Sequence, residues 1–145
     1  MYKYICKKLK KKGYLHYEVS NFAKKGCESK HNLTYWNNEE YYGFGLGASS
    51  FVNGIRYTNT RSLTKYLEGN YVKEKDVITK EIDMSNEMIL GLRKIEGISK
   101  NKFYNKFGCK IEDIFDVSKL KENKDYFYID KNNLYVSNYI LCDFI

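Results

Sequence analysis

The sequence predicts an α/β segment followed by a small α+β domain, and three observations carry that prediction. An amphipathic stretch, Met1 to Lys12, runs directly into an alternating one, Tyr14 to Phe22. That is the helix-to-strand step of a parallel sheet or barrel. A glycine-interrupted apolar run, Tyr41 to Val52, supplies a second strand. From Val77 the character changes to helical stripes, a hairpin and a closing helix. The expected division is residues 1–60, a connecting helix and linker at 61–76, and the small domain at 77–145.

Each element has its own signal. In the first helix Tyr2, Ile5, Cys6 and Leu9 share one face, lysines fill the other, and Gly13 stops it. It opens without a cap or lead-in, so the chain is expected to continue a longer protein. In the strand, Leu15, Tyr17 and Val19 face one side and His16, Glu18 and Ser20 the other. Lys24 to His31 is a polar loop around Gly26, and Asn32 is positioned to cap a short helix bearing Leu33, Tyr35 and Trp36. Asn53-Gly54, between Phe51-Val52 and Ile55-Arg56-Tyr57, signals a type I′ hairpin. Thr60 or Ser62 then opens a short helix that Gly69 ends.

In the second part, Met84, Met88, Leu92 and Ile95 form a helical stripe closed by Gly97. Ser99 caps a second helix carrying Phe103 and Phe107 and ended by Gly108. Ile111, Ile114, Phe115 and Leu120 suggest a third. Tyr126 to Val136 reads as a hairpin turning near Lys131-Asn132-Asn133, and Ser137 caps a last helix with Ile140, Leu141 and Phe144 inward. Three helices, a hairpin and a closing helix resemble a winged-helix arrangement.

Composition narrows the function classes. The 145 residues are 43% hydrophobic and 17% aromatic, enough for a folded core. A net charge of +7 invites a nucleic-acid reading, but only Arg56, Arg61 and Arg93 are arginines among 25 basic residues. Arginine is the side chain best suited to base edges and phosphate forks, so a solvated lysine face is the preferred reading. A nucleic-acid-binding winged helix, using Lys100, Lys102 and Lys106, remains a second alternative. No two of Cys6, Cys27, Cys109 and Cys142 have a metal-type C-x-x-C spacing. There is no signal peptide and no apolar run of membrane-spanning length, which predicts a cytoplasmic protein with reduced thiols.

The chemistry-bearing residues concentrate between His16 and Gly47, which hold both histidines and the single Trp. Gly43-Phe44-Gly45-Leu46-Gly47 lets a backbone approach a ligand closely, yet it matches neither a Rossmann fingerprint nor a P-loop; a glycine-kinked strand is the simpler reading. His31-Asn32-Leu33-Thr34-Tyr35-Trp36 sets an imidazole beside two large aromatics, suited to heme iron or a flat ring, against the plainer reading of a surface loop histidine. A Ser20–His31–Glu28 hydrolase is rejected for want of a nucleophile elbow.

Together these residues resemble the HemW family of heme chaperones, relatives of the oxygen-independent coproporphyrinogen III oxidase HemN in the radical S-adenosylmethionine superfamily. The likeness rests on Tyr17-Glu18-Val19-Ser20-Asn21-Phe22-Ala23-Lys24, on Glu28 through Trp36 and on Tyr42 through Ala48. Asn53-Gly54-Ile55-Arg56-Tyr57, Met88-Ile89-Leu90-Gly91-Leu92-Arg93, Gly97-Ile98-Ser99 and Ser137-Asn138-Tyr139-Ile140 extend it.

The resemblance implies the last strands of a partial (β/α)6 radical-SAM barrel, then the family's C-terminal domain, in a C-terminal fragment of the parent. It implies heme as cargo, with His31 the axial ligand to iron and Asn32, Tyr35 and Trp36 around it, and heme-accepting proteins as partners. It places Gly45, Gly47, Ala48 and Ser49 at the S-adenosylmethionine edge. The family's 4Fe–4S cluster is held by a CxxxCxxC motif, and this chain has none. Cluster and S-adenosylmethionine chemistry are therefore expected of the intact parent with its N-terminal radical-SAM part, and no catalytic residue is assigned here. The alternative parent is the oxidase itself, acting in porphyrin biosynthesis.

Overall fold

A computed structural model describes all 145 residues. The fold is mixed α/β, with six α-helices and three small sheets. It forms two compact units: Met1–Asn38 together with Met84–Ile145, and Glu39–Asp83.

Helix α1 spans Tyr2–Lys11 and ends in lysines, which suit the negative end of a helix. The strand expected from Tyr14 to Phe22 is broken. β1 (Leu15–His16) pairs antiparallel with β2 (Phe22–Ala23), so the chain doubles back between them. Side chains explain the break, because they occupy the backbone groups a ladder would need. Tyr2 Oη donates to the Val19 carbonyl at 3.1 Å, His16 Nε2 lies 3.2 Å from the same oxygen, and Ser20 N–H donates to Glu18 Oε2 at 3.2 Å. Residues 17–19 instead pair with 93–95: Val19 N–H donates to Arg93 O, Ile95 N–H to Tyr17 O, and the Glu18 and Lys94 backbones stand opposite each other in an antiparallel β-bridge.

Helix α2 spans Lys30–Trp36. Its cap is Ser29, whose hydroxyl accepts from Asn32 N–H at 3.3 Å, so Asn32 lies inside the helix and does not cap it.

In the second unit the expected strand Tyr41–Val52 is reduced to β3 (Ser49–Val52), with Tyr41 making a single bridge to Phe51. β3 and β4 (Ile55–Asn59) form the hairpin that Asn53-Gly54 signals. Both turn residues have positive φ, +52° and +70°, as a type I′ turn requires. Helix α3 (Leu63–Leu67) is capped by Ser62. β5 (Val72–Val77) then pairs with β4, completing a β3–β4–β5 sheet across a stretch read as linker.

Helix α4 spans Lys80–Gly91, and β6 (Ile98–Ser99) leads into α5 (Lys100–Phe107). Ser99 caps α5 through Lys102 N–H, and Gly108 closes it in the left-handed conformation, as expected. The third helix is only a 3-10 turn, Ile111–Asp113. Asp116 accepts from Ser118 N–H at 2.9 Å, a local turn that competes with helix.

β7 (Lys121–Glu122) and β8 (Tyr126–Tyr128) pair antiparallel, and β8 also pairs with β6, giving the order β6–β8–β7. Helix, strand, helix, reduced helix and a two-strand wing follow one another in winged-helix order. The wing lies one strand earlier than the hairpin expected at 126–136. After β8, Asp130 accepts from Asn132 N–H at 2.8 Å and turns the chain into a 3-10 segment, Leu134–Val136. Helix α6 (Ser137–Leu141) closes the chain with a 3-10 turn, Cys142–Phe144; the Ser137 side chain makes no cap bond.

The core belongs to the first unit. Met84, Met88 and Leu92 from α4 and its exit meet Phe103 and Phe107 from α5, Phe127 and Ile129 from the wing, and Ile140, Leu141 and Phe144 from the C-terminus. Met88, Leu92 and Phe103 are wholly buried, each stabilising by about 1.5–3 kcal/mol relative to exposure. Two of the lysines considered for nucleic acid are spent on carboxylates: Lys100 on Glu122 at 2.6 Å and Lys106 on Glu87 at 2.9 Å.

Candidate functional site

Helix α2 presents the histidine. Ser29 fixes its start, and Ser29 N–H donates in turn to Tyr17 Oη at 3.4 Å, tying the helix to the segment after β1. His31, in the first turn, is exposed. Its ring meets Tyr35, one turn on, edge to face with centroids 4.7 Å apart at 83°. No hydrogen bond or ion pair occupies the imidazole.

The other end of α2 is anchored. The Arg93 guanidinium lies over the Trp36 ring, 5.3 Å from its centroid. The indole Nε1 is buried without an acceptor. Lys94 Nζ, itself buried, donates to Asn37 Oδ1 at 2.7 Å and lies 3.6 Å from Glu96 Oε1. Burial holds the Lys94 ammonium below its ordinary pKa, and the Glu96 charge opposes that shift. Asn38 Nδ2 donates to Glu87 Oε2 at 3.2 Å. One helix thus carries a free imidazole at its start and fixed contacts at its end. Glu18, 1% exposed, has one oxygen bound to Ser20 N–H and the other without a partner.

The glycine segment, in the second unit, has its own geometry. A Cβ on Gly43 would sit 2.1 Å from the Ser49 carbonyl oxygen, so no other residue fits there. Gly45 and Gly47 have φ of +95° and +67°. Their amides are engaged: Gly43 N–H donates to Ser50 Oγ, Gly45 N–H to Tyr66 Oη and Gly47 N–H to the Thr60 carbonyl. Asn59 Nδ2 donates to the Gly45 carbonyl at 2.9 Å. Ala48 is half-buried, and the Ser49 side chain is exposed. The segment is a kinked backbone satisfied by its own unit, with no open row of N–H groups.

These placements test the implied groups. An exposed imidazole with no protein hydrogen bond fits one axial bond to heme iron, with Tyr35 beside it as an aromatic edge. An iron–sulfur cluster does not fit: the four cysteines are free, and no three His, Cys, Asp or Glu side chains converge. Ser29, Tyr17, Arg93, Asn37 and Lys94 support α2 without having been singled out from sequence for that role. Tyr17, Ser29 and Arg93 had a signal, since their phrases belonged to the family likeness; Asn37 and Lys94 had none.

No family model matches the sequence. The chain is 43% identical over 143 residues to the heme chaperone HemW of Lactococcus lactis subsp. lactis (strain IL1403), covering 95% of this chain and 38% of that protein. It is 42% identical over 120 residues to HemW of Bacillus subtilis (strain 168), covering 79% of this chain and 32% of that protein. Among solved structures it resembles the coproporphyrinogen III oxidase HemN of Escherichia coli, described as a radical SAM enzyme. That match has a TM-score of 0.72 at 14% identity and covers 98% of this chain and 39% of that one. The HemN likeness establishes the fold. The chain spans about a third to two fifths of the length of the curated relatives named here.

Proposed function

Because this chain is HemW-like over nearly its whole length, we propose that it belongs to a heme chaperone that binds heme and passes it to heme proteins. One observation carries the reading for the residues in hand: the His31 imidazole is exposed, with no protein hydrogen bond, on a helix whose other end is pinned by Arg93 and Lys94. His31 is the axial ligand to iron, Tyr35 flanks it, and Asn32 and Trp36 orient the helix that presents it. Rigid support matters because a ligand atom must be held in place before the iron arrives.

In the parent, residues 1–60 end the radical-SAM barrel, 61–76 connect, and 77–145 form the C-terminal domain. The S-adenosylmethionine edge takes Gly45, Gly47, Ala48 and Ser49. With the glycine amides engaged, Ser49 offers the free polar group. No helix is long and apolar enough to cross a membrane, and the cytoplasm is the proposed location. The oxidase reading of the parent has only fold likeness behind it.

Heme titration followed by absorbance tests the assignment. The wild-type chain should give a saturable Soret shift, and His31→Ala should weaken it by at least about tenfold, the scale of losing one metal ligand or its support. Identical spectra and affinities for the two proteins would remove His31 from the role.

A further inference from the structure

We propose that a second site, between α1, the β1–β2 hairpin and the turn at 131–135, binds a flat aromatic anion. A cavity of about 370 Å³ opens there, within the first unit, inside the size range of small-molecule sites. Its walls are rings: Tyr2 from α1, Tyr14 and Phe22 from the hairpin and Tyr135 from the turn. His16 joins them, stacked on Phe22 with centroids 4.2 Å apart and planes 12° from parallel. Its Nε2 lies 3.2 Å from the Val19 carbonyl oxygen, a contact that holds the ring in the wall.

The charge at the cavity has one sign. Lys3, Lys10 and Lys131 line it and are exposed, and none has a carboxylate partner. No aspartate or glutamate lines it. Aromatic faces select a flat ring system, and unpaired ammonium groups select a carboxylate, sulfonate or phosphate on it. The site is separate from His31 and does not depend on the heme reading.

The test uses two dyes of one shape: anionic 8-anilinonaphthalene-1-sulfonate and its uncharged parent N-phenyl-1-naphthylamine. Fluorescence titration of the full chain should show saturable, one-to-one binding of the anion. Lys10→Glu/Lys131→Glu changes only exposed side chains. It should weaken the anion by about tenfold, an effect expected for reversing two nearby charges, and leave the neutral dye within about twofold. Tyr135→Ala, at an exposed ring, should weaken both dyes, with circular dichroism confirming that each variant folds. His31→Ala should change neither dye. Absence of saturable binding, an anion affinity unmoved by the lysine or tyrosine variants, equal loss of both dyes in the lysine variant, or loss in His31→Ala would each overturn the proposal.

Discussion

Lys94 shows how one residue joins stability to the presentation of a site. Its ammonium is buried and holds Asn37 at the end of α2. Lys94→Met keeps the apolar stem but removes the charged Lys94–Asn37 hydrogen bond, so it should destabilise the chain by about 1–3 kcal/mol at pH 7 in urea unfolding. The pH dependence has a definite sign. Burial lowers the folded pKa below the ordinary 10.5, so between the folded and unfolded values the unfolded chain binds more protons. Stability from this group is therefore fully present above the unfolded pKa and lost as pH falls through the folded one. The gap between wild type and Lys94→Met should widen as pH rises toward the ordinary 10.5; a gap that narrows would contradict the shift. Nothing in local sequence marks Lys94. Its burial arises because residues 93–95 pair with residues 17–19, a long-range contact invisible to a local reading. His31 was legible as a residue beside two aromatics, but its helical setting depends on the Ser29 cap.

Among elements, those with local chemistry were legible and those decided by tertiary pairing were not. The Asn53-Gly54 turn, the Ser99 cap and the Gly108 stop each rest on one or two residues whose conformational preference is nearly sufficient. Residues 72–76 read as charged linker because their side chains carry no apolar pattern, yet Val72–Val77 is a strand, because β4 offers it a partner. The Tyr14–Phe22 alternation failed for the opposite reason: its pattern is strand-like, but side chains hold its backbone groups. Glycine substitutions in the first unit separate two costs. Gly108 has φ +76° with open space around it, whereas at Gly97 (φ +87°) a Cβ would lie 2.0 Å from the Phe127 carbonyl oxygen. Gly108→Ala should cost about 1 kcal/mol from backbone conformation alone. Gly97→Ala should cost about 3 kcal/mol or more, because β8 must also move. Urea midpoints for the two variants decide this, and equal losses would mean that the β8 contact relaxes freely.

For the whole molecule, the decisive asymmetry is where apolar side chains are buried. The clustered core lies entirely in Met84–Phe144, while Phe51 is the one buried hydrophobic residue of Glu39–Asp83. That smaller unit rests on the β3–β4–β5 ladder and on polar bonds around its glycines, and β5 is exposed along its length. Backbone hydrogen bonds contribute about 1 kcal/mol each net of water, against about 1.5–3 kcal/mol for each buried large side chain. The stripe Met84, Met88 and Leu92 announced the larger core in sequence, because its helical spacing and its partners Phe103 and Phe107 all persist in the fold. The weakness of the other unit could not be read that way, since its Tyr, Phe and Leu residues look apolar in sequence and stand largely exposed. Opening should accordingly occur in two steps. In hydrogen exchange followed by mass spectrometry, peptides covering β4 and β5 should exchange well before those covering Met88–Leu92 and α5. Leu92→Ala should speed exchange across α4 and α5 while leaving the β4–β5 rate within about twofold, because the smaller unit already opens by its own local route. Simultaneous exchange of both units in the wild type would mean a single cooperative fold.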